Sequence, residues 1–390
     1  MSGGFDFEDG KKTDYGYYGE PRWNDFSLND EATARSRFSR FFLSVFIYLL
    51  VANLSVLGIQ FALILTKGYE EAQIIFNGRY FVWIVQVLCM YVIAFPILFF
   101  IVRGMKSVFR SKTKMKISDF LVTFLIAEGL MTIGSIVANI LTSAFSSFTG
   151  YELPNTTAEL IENSPVWLVI LVAVIIGPVV EELIFRKLLM DKLGMYGDRI
   201  AIIVSAISFG VFHGNLFQVF YAALLGALLA FVYSKTGNIL HTIALHITIN
   251  FFGSVVPMPF ISLSEKLLEM GEPPLDGSNF DYAEYIKLLS AVSAYSMFQY
   301  GLAIAGIILL ISKWKRKDFF VSDRCEVLIP KEKRASVIVK NAGAILFIIV
   351  IAGIFIINFL SATPIVPDEV IPEGNGGANI FNGIRGLFTR

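Results

Sequence analysis

The chain has 390 residues, of which 55% are hydrophobic and 16% are charged, and its formal net charge is zero. Soluble domains are about 45–50% apolar and about 25% charged, so this composition excludes an ordinary soluble protein and indicates a polytopic membrane protein. The bilayer is therefore the first expected partner, and the lack of a basic surplus gives no reason to expect nucleic acid. The two cysteines, Cys89 and Cys325, fall in a predicted span and a predicted cytoplasmic loop, where we expect neither a disulfide nor a cysteine-based metal site.

Residues 1–38 are predicted to form a disordered cytoplasmic arm without the early apolar core of a cleavable signal peptide. Apolar stretches of about 20 residues then predict an all-α transmembrane helical bundle. The nine predicted spans are 41–65, 80–102, 119–143, 166–190, 199–216, 217–234, 237–260, 291–312 and 337–360. The fifth and sixth are short and nearly continuous, which indicates a tight hairpin or a partly re-entrant pair. Residues 361–390 are predicted to be a flexible tail.

Loop charges predict the orientation, because cytoplasmic loops of membrane proteins carry an excess of Lys and Arg. The loop 103–118 carries six basic residues and the loop 313–335 carries eight. By contrast, 144–165 has no Lys or Arg, and 261–290 has six acids against two lysines. Nine spans with a cytoplasmic N-terminus place both basic loops inside and both acidic loops outside. We therefore predict a multi-pass protein of the cell membrane.

Two adjacent glutamates, Glu181 and Glu182, lie within the fourth predicted span. An ionised side chain in mid-membrane costs from about 3 to more than about 10 kcal/mol, so two in a row indicate a function. Glu182 lies four residues before Arg186 and can pair with it on one helix face. Neighbouring residues point about 100° apart, which leaves Glu181 without a local partner and available as a general base. The alternative is that both acids only hold partner helices together.

Gly177 and Pro178 lie just before these acids. The proline either kinks the helix and lets water reach Glu181, or is an ordinary proline of a membrane helix. Depth along the helices matters here, because His213 lies about 20 Å into its predicted span at 1.5 Å per residue. Glu181 lies nearer the cytoplasmic end of its own predicted span, so a kink or a tilt is required for the two to meet.

The next polar group in an apolar stretch is His213. It shares a helix face with Phe209, and the glycines Gly210 and Gly214 permit close helix approach. A close approach would bring His213 near Glu181. A lone histidine in a helix is more often a hydrogen-bonded packing residue, but the nearby glutamates favour a role in a site.

His246 and Asn250 lie one turn apart on one helix face. Together they offer hydrogen-bond donors to a developing oxyanion, and His246 is alternatively a metal ligand. His241 points roughly 140° away from His246, so we predict a structural or peripheral role for it. Glu128, a lone acid in the third span, is predicted to act in helix packing, paired with Asn139 or with a polar group on another helix.

The residue groups around Glu181, His213 and His246, in this order, resemble the motifs of the CPBP intramembrane protease family. This family is also called the ABI family, and it includes the type II CAAX prenyl endopeptidases. The family pattern of Glu-Glu-x-x-x-Arg, Phe-x-x-x-His and His-x-x-x-Asn matches Glu181 to Arg186, Phe209 to His213, and His246 to Asn250. The resemblance divides the chain into accessory helices (39–143), a protease-like core (164–255) and C-terminal helices (256–360).

The resemblance implies a water-filled cavity in which Glu181 activates a water and His213 positions it. It also implies that His246 and Asn250 stabilise the oxyanion, and that Glu182 and Arg186 support the site. Members are commonly labelled metalloproteases, and a zinc site of Glu181, His213 and His246 stays open, with Glu182 then acting as the base. A metal-free glutamate mechanism is favoured, because Glu182 is expected to pair with Arg186 and the chain has no His-Glu-x-x-His motif.

The resemblance implies peptide hydrolysis in membrane-associated proteins or peptides and leaves open whether a substrate is prenylated. The principal alternative is a non-catalytic immunity or scaffold protein that keeps the motif for packing. A proton-coupled transporter is less consistent with the sequence, because no internal repeat is visible and all the chemistry is in one cluster.

Overall fold

Twelve helices and two short strands make up the part of the chain that the computed structural model describes, which is residues 27–364 apart from 77, 79, 272, 274–279, 317, 320 and 322–324. The first six helices are α1 (Leu28–Lys67), α2 (Tyr69–Phe76), α3 (Phe81–Val102), α4 (Ile117–Thr149), α5 (Thr156–Glu162) and α6 (Val166–Tyr196). The others are α7 (Asp198–Phe212), α8 (Leu216–Thr236), α9 (Ile239–Met270), α10 (Tyr282–Lys315), α11 (Lys331–Ile338) and α12 (Ala342–Leu360). Strands β1 (Tyr151–Glu152) and β2 (Thr363–Pro364) pair antiparallel.

Eight of these helices are long and apolar enough to cross a membrane: α1, α3, α4, α6, α8, α9, α10 and α12. They coincide with eight of the nine predicted spans. The predicted span 199–216 corresponds to α7, whose 15 residues extend only about 22 Å, short of a bilayer core of about 30 Å. Large apolar side chains such as Ile140 and Ile304 are exposed on the outside of the bundle, as expected where helices face lipid. The chain is a multi-pass helical membrane protein.

The short α7 forms one arm of a tight hairpin with α8, which is one of the two arrangements predicted for this pair. Gly210 of α7 lies so close to α8 that an added Cβ would stand 2.6 Å from the Val219 carbonyl oxygen. Gly214 lies in the turn with a φ of +61°, a conformation that favours glycine. The two glycines therefore differ in role: one permits helix contact and the other permits the turn.

Both basic loops lie at one end of the bundle, which we call the basic face. Lys106 from the first loop forms an ion pair of 2.9 Å with Glu326 from the second. The start of α1 lies at the same end, because Glu31 pairs with Lys333 at 2.6 Å. The predicted co-location of these segments is thus observed. That the basic face is cytoplasmic remains a prediction from the loop charges.

The opposite end, the acidic face, gathers the end of α4, the α7–α8 turn and the end of α12. Strands β1 and β2 pair there, and Phe145 of α4 contacts Phe359 of α12 with ring centroids 5.3 Å apart. Asn358 donates a hydrogen bond of 2.8 Å to the carbonyl oxygen of Gly214. These contacts fix the α7–α8 turn against α12.

Helix α1 begins at Leu28, so the arm predicted over 1–38 is too long by about ten residues. Ser27 caps the helix by accepting from the Asp30 amide, while the Asp30 side chain accepts from the backbone of Ser27. Ala34 and Phe38 are already fully buried. This capping box and the early burial start the helix before its hydrophobic stretch. Residues 1–26 and most of the predicted flexible tail, 365–390, lie outside the described residues.

Helix α6 is the most enclosed of the eight spans and lies at the centre of the bundle. On one side, α1 packs on α3 and α12, and on the other, α4 packs on α8 and α10. Helix α6 continues to Tyr196, beyond the predicted end at 190, so Glu181 is its midpoint. The longer helix removes the difference in depth between Glu181 and His213.

Candidate active site

A cavity of about 690 Å³ lies between α3, α4, α6, α7, α8 and α9. Four of the residues predicted for the site line it: Glu181, His213, His246 and Asn250. Toward the acidic face its wall is formed by α5 and the segment before it, including Asn155, Thr157 and Glu162. The three sequence motifs therefore meet on one cavity, although their residues are spread over about 70 positions of the chain.

The cavity face of α6 is set by two changes in helix type. Residues Ile170–Ile176 form a π-helix, an α-helical segment begins at Gly177 and Pro178, and a second π-helix begins at Leu183. π-Helical segments are frequent at functional sites. Here they flank the one short α-helical segment that carries Glu181, whose side chain is 19% exposed within this enclosed part of the bundle.

Glu182, the neighbour of Glu181, points away from the cavity and is fully buried. Its Oε1 lies 3.1 Å from Nη1 of Arg186, which confirms the predicted pair. Arg186 is also fully buried, donates to the Gly226 carbonyl oxygen at 3.3 Å and lies over the Phe209 ring at 4.6 Å. A buried ion pair needs such additional contacts to offset its desolvation. The pair fixes α6 against α7 and α8.

His246 connects the buried pair to the cavity. Its Nδ1 lies 3.0 Å from Oε1 of Glu182, and its Nε2 lies 3.7 Å from Oε2 of Glu181. The Glu182 carboxylate accepts, so Nδ1 of His246 carries the proton of this hydrogen bond. The ring contacts Phe209 edge to face with centroids 5.7 Å apart. These contacts orient Nε2 toward Glu181.

His213 follows the last residue of α7 and is oriented by its own helix. Its Nδ1 lies 2.8 Å from the carbonyl oxygen of Phe209, and the two rings contact edge to face at 5.0 Å. A carbonyl oxygen only accepts, so Nδ1 of His213 donates and the neutral ring keeps its lone pair on Nε2. The shared face of Phe209 and His213 predicted from their spacing is thus what orients the imidazole.

Asn250 is the last α-helical residue before the π-helix Phe251–Val255 in α9. Its Nδ2 donates a hydrogen bond of 2.9 Å to the carbonyl oxygen of Ala173, in the first π-helix of α6. That carbonyl lies in a region of non-α hydrogen bonding, where backbone groups need other partners. One N–H of the amide remains for another acceptor in the cavity.

Two further polar residues singled out by sequence do not line the cavity. The His241 ring lies 3.4 Å from the amide of Asn238, near the start of α9, in agreement with its predicted peripheral position. The predicted contact between Glu128 and Asn139 does not occur within the described part of the chain. The two side chains are 11 positions apart on the straight α4, about 16 Å along its axis.

Two tyrosines of the cavity wall, Tyr48 of α1 and Tyr91 of α3, were not predicted from the sequence. Both belong to helices outside the three motifs. A signal was nevertheless present, because tyrosines of membrane helices concentrate at the two interfaces, whereas Tyr91 lies in the middle of its span. A mid-span tyrosine needs a polar surrounding for its hydroxyl, and the cavity supplies one.

The zinc site considered for Glu181, His213 and His246 finds no support in the side-chain arrangement. Across residues 27–364, with the gaps given above, no three His, Cys, Asp or Glu side chains are placed to hold a metal ion. The described side chains therefore do not form the zinc site considered for these three residues.

Comparison with known proteins agrees with the motif interpretation over the central part of the chain. Residues 163–252 match the model of the family described as "Type II CAAX prenyl endopeptidase Rce1-like". A protein of Bacillus subtilis (strain 168), described as "Putative membrane peptidase YdiL", is 35% identical over 107 residues. That alignment covers 26% of this chain and 43% of the relative, so the chain spans less than half of it. No solved structure matches.

The matched segment contains α6, α7, α8 and the first part of α9, and with them all seven motif residues. The resemblance predicted from the Glu-Glu-x-x-x-Arg, Phe-x-x-x-His and His-x-x-x-Asn motifs is thereby confirmed for this region. Residues 163–252 of this multi-pass membrane protein are therefore similar to the Rce1-like, type II CAAX prenyl endopeptidase family.

Proposed function

We propose that this protein is an intramembrane endopeptidase that hydrolyses peptide bonds of membrane-associated proteins or peptides. The observation that carries the proposal is the meeting of Glu181, His213, His246 and Asn250 on one cavity within the matched segment. The name of the Bacillus relative, a membrane peptidase, supports the same class of activity.

In the proposed reaction Glu181 is the general base. Its carboxylate is exposed to the cavity, and it lies on a different side of α6 from the Glu182–Arg186 pair. The Nε2 lone pair of His213 accepts a hydrogen bond from the attacking water and holds it for Glu181. The water oxygen adds to the scissile carbonyl carbon while Glu181 takes its proton. When the carbon–nitrogen bond breaks, Glu181 returns that proton to the leaving amine.

His246 and Asn250 stabilise the oxyanion in this proposal. Because Nδ1 of His246 donates to Glu182, Nε2 donates to an oxyanion only if the ring is an imidazolium. In that state the two carboxylates of Glu181 and Glu182 are balanced by Arg186 and His246, so the buried cluster is neutral. A neutral cluster is the arrangement that a low-dielectric interior tolerates.

The proposal is tested by comparing membrane-protein fragments in cells that contain the wild-type protein, Glu181→Ala or His213→Ala. We expect fragments that depend on the wild-type protein to be lost in both variants, while both remain folded in the membrane. A biological effect that survives both substitutions, with no change in any fragment, would instead support the non-catalytic scaffold or immunity role.

A further inference from the structure

The proposed oxyanion site has two hydrogen-bond donors, the free amide N–H of Asn250 and Nε2–H of a protonated His246. Asn250 already uses one of its amide N–H groups on the Ala173 carbonyl oxygen, and His246 uses Nδ1–H on Glu182. Oxyanion sites commonly present two or more donors to the developing charge, and each is worth about 10²–10³ in kcat. A third donor on the cavity wall would stabilise the developing charge further.

Tyr91 presents its hydroxyl to the cavity beside the catalytic face of α6. Its oxygen lies 3.2 Å from the position that a Cβ on Gly177 would occupy, and Oε1 of Glu181 lies 3.9 Å from the same position. Within the described residues, the hydroxyl makes no hydrogen bond. A tyrosine hydroxyl at mid-membrane without a partner is available to donate to a bound group.

The positions along α6 explain where that group would lie. Ala173, Gly177 and Glu181 follow at four-residue spacing on the cavity face, about 6 Å apart along the helix axis. The Asn250 amide donates its hydrogen bond to the Ala173 carbonyl oxygen, and Nε2 of His246 faces the Glu181 carboxylate. Gly177, which has no side chain, lines the cavity between the two, next to the Tyr91 hydroxyl. A scissile carbonyl in this space has Glu181 on one side and the Asn250 amide on the other.

The segment of α3 that carries Tyr91 has the same helix type as the segments of α6 and α9 next to the site. Residues Val87–Ala94 of α3 form a π-helix, as do the segments of α6 and α9 that lie next to the site. On α6, Gly177 permits this close approach of Tyr91, because a Cβ at position 177 would stand 3.2 Å from the Tyr91 hydroxyl oxygen. Tyr91 lies outside residues 163–252, so the accessory part of the chain contributes to the site.

We propose that Tyr91 is a further catalytic residue, whose hydroxyl donates a hydrogen bond to the carbonyl oxygen as it becomes the oxyanion. The inference rests on the proposed peptidase function and adds one residue to it. As the water oxygen bonds to the carbonyl carbon, the π electrons move to the carbonyl oxygen, which accepts from Tyr91 as well as from Asn250 and His246. Tyr91 keeps its proton throughout, and the charge on the oxygen disappears when the carbon–nitrogen bond breaks.

The test compares Tyr91→Phe with the wild-type protein, purified and reconstituted in phosphatidylethanolamine–phosphatidylglycerol vesicles. The probe is a mixture of synthetic single-span peptides, with the fastest-cleaved peptide then assayed alone. We expect kcat to fall about 10²–10³-fold with KM within about threefold, because the lost interaction forms only in the transition state. A rise in KM at unchanged kcat would overturn the inference, since it would show ground-state binding only.

Tyr221→Phe is the matched control. Tyr221 also lies on the cavity wall, but its hydroxyl interacts with Gln218. We expect its kcat to stay within about threefold of wild type. An equal loss in both variants would overturn the specific role of Tyr91, because it would report a general change in the polarity of the cavity.

Gly177→Ala provides an independent variant. The added methyl group would stand 3.2 Å from both the Tyr91 hydroxyl oxygen and the Val172 carbonyl oxygen, so the hydroxyl or the helix backbone must shift by a few tenths of an ångström. We expect Gly177→Ala to lower kcat in the wild-type background and to have a smaller effect when combined with Tyr91→Phe. Fully additive effects would contradict the inference.

Glu181→Gln separates the inference from the proposed function. If wild type cleaves a peptide, Glu181→Gln does not, and Tyr91→Phe cleaves at the wild-type rate, only the role of Tyr91 is wrong. If Glu181→Gln cleaves as fast as wild type, or if wild type cleaves no peptide of the mixture, the proposed function fails and the role of Tyr91 fails with it.

Discussion

Glu181 and Glu182 are adjacent in the chain, yet they lie in two different environments. Glu182 is fully buried, paired with Arg186 and hydrogen-bonded by His246. Glu181 faces the cavity, and Nε2 of His246 lies 3.7 Å from its Oε2. A rotation of about 100° around one helix axis separates these environments.

The different environments of Glu181 and Glu182 show how a membrane helix can carry a reactive carboxylate. The buried side of α6 supplies fixed charges that orient His246 and hold α7 and α8 in place. The cavity side leaves Glu181 without an ion pair to Arg or Lys within the described residues, so its carboxylate stays available for a water. Structure and chemistry are thus divided between neighbouring residues of the same type.

Breaking the buried pair has the largest expected effect on stability. Arg186→Met leaves the buried Glu182 carboxylate without its guanidinium partner, and we expect a loss of about 3–5 kcal/mol in unfolding free energy. Thermal unfolding in detergent micelles measures the change. The double variant Glu182→Gln with Arg186→Met removes the orphaned charge and is expected to recover much of the stability. Equal destabilisation of the single and double variants would contradict this account.

On the cavity side, Asn250→Ala is expected to lower kcat by about 10²–10³-fold, as is typical for one oxyanion donor. Cleavage kinetics of a reconstituted peptide measure it. Asn53→Ala is the control, because its amide also donates to a backbone carbonyl, that of Leu49, but on α1 and away from the cavity. A similar loss in both variants would show that the effect of Asn250 is structural.

The sequence predicted which polar residues meet on the cavity because their spacing along each helix is local. The spacing of four between Glu182 and Arg186, and between Phe209 and His213, fixes the shared faces on which the contacts occur. The order of the motifs on successive apolar stretches then predicted that the motif residues lie close together in the bundle. The hydrophobic stretches also located every helix long enough to cross the membrane in the described chain.

Other features depend on tertiary contacts and could not be predicted from the spacing of residues in the sequence. The π-helices of α3, α6 and α9 arise where helices pack around the cavity, and no residue pattern marks them. The extension of α6 to Tyr196 carries Asp191 and Lys192, which the hydrophobic pattern placed in a loop. Lys192 is buried because its ammonium group donates to the Met105 carbonyl oxygen at 2.6 Å. Tyr91 was missed because it belongs to none of the motifs.

The hairpin that positions His213 is expected to be sensitive to a single methyl group. Gly210→Ala would place a Cβ 2.6 Å from the Val219 carbonyl oxygen, so α7 and α8 must separate, and we expect a loss of about 1–3 kcal/mol in unfolding free energy. Gly301→Ala in α10 is the matched control. An added Cβ there meets nothing within 4 Å, and alanine favours the helix, so we expect no loss. Equal unfolding temperatures of the two variants would argue against a close α7–α8 contact.

Substitution of Glu128 has the smallest expected effect, and it tests the contrast with Glu181. Glu128 is an intramembrane acid that does not line the cavity, and within the described residues its side chain makes no ion pair. We expect Glu128→Gln to change turnover by less than about twofold and unfolding free energy by about 1 kcal/mol or less. The same peptide assay and micelle unfolding measure both. A tenfold loss of turnover would assign Glu128 to the chemistry.

The central claim, that Glu181 activates water for peptide hydrolysis, is tested most directly by peptide cleavage in ¹⁸O-labelled water with wild-type protein and Glu181→Gln. The account predicts one ¹⁸O atom in the new carboxyl group of the wild-type product, and a rate about 10²–10⁴-fold lower for Glu181→Gln at an unchanged unfolding temperature. Undiminished cleavage by folded Glu181→Gln would contradict it.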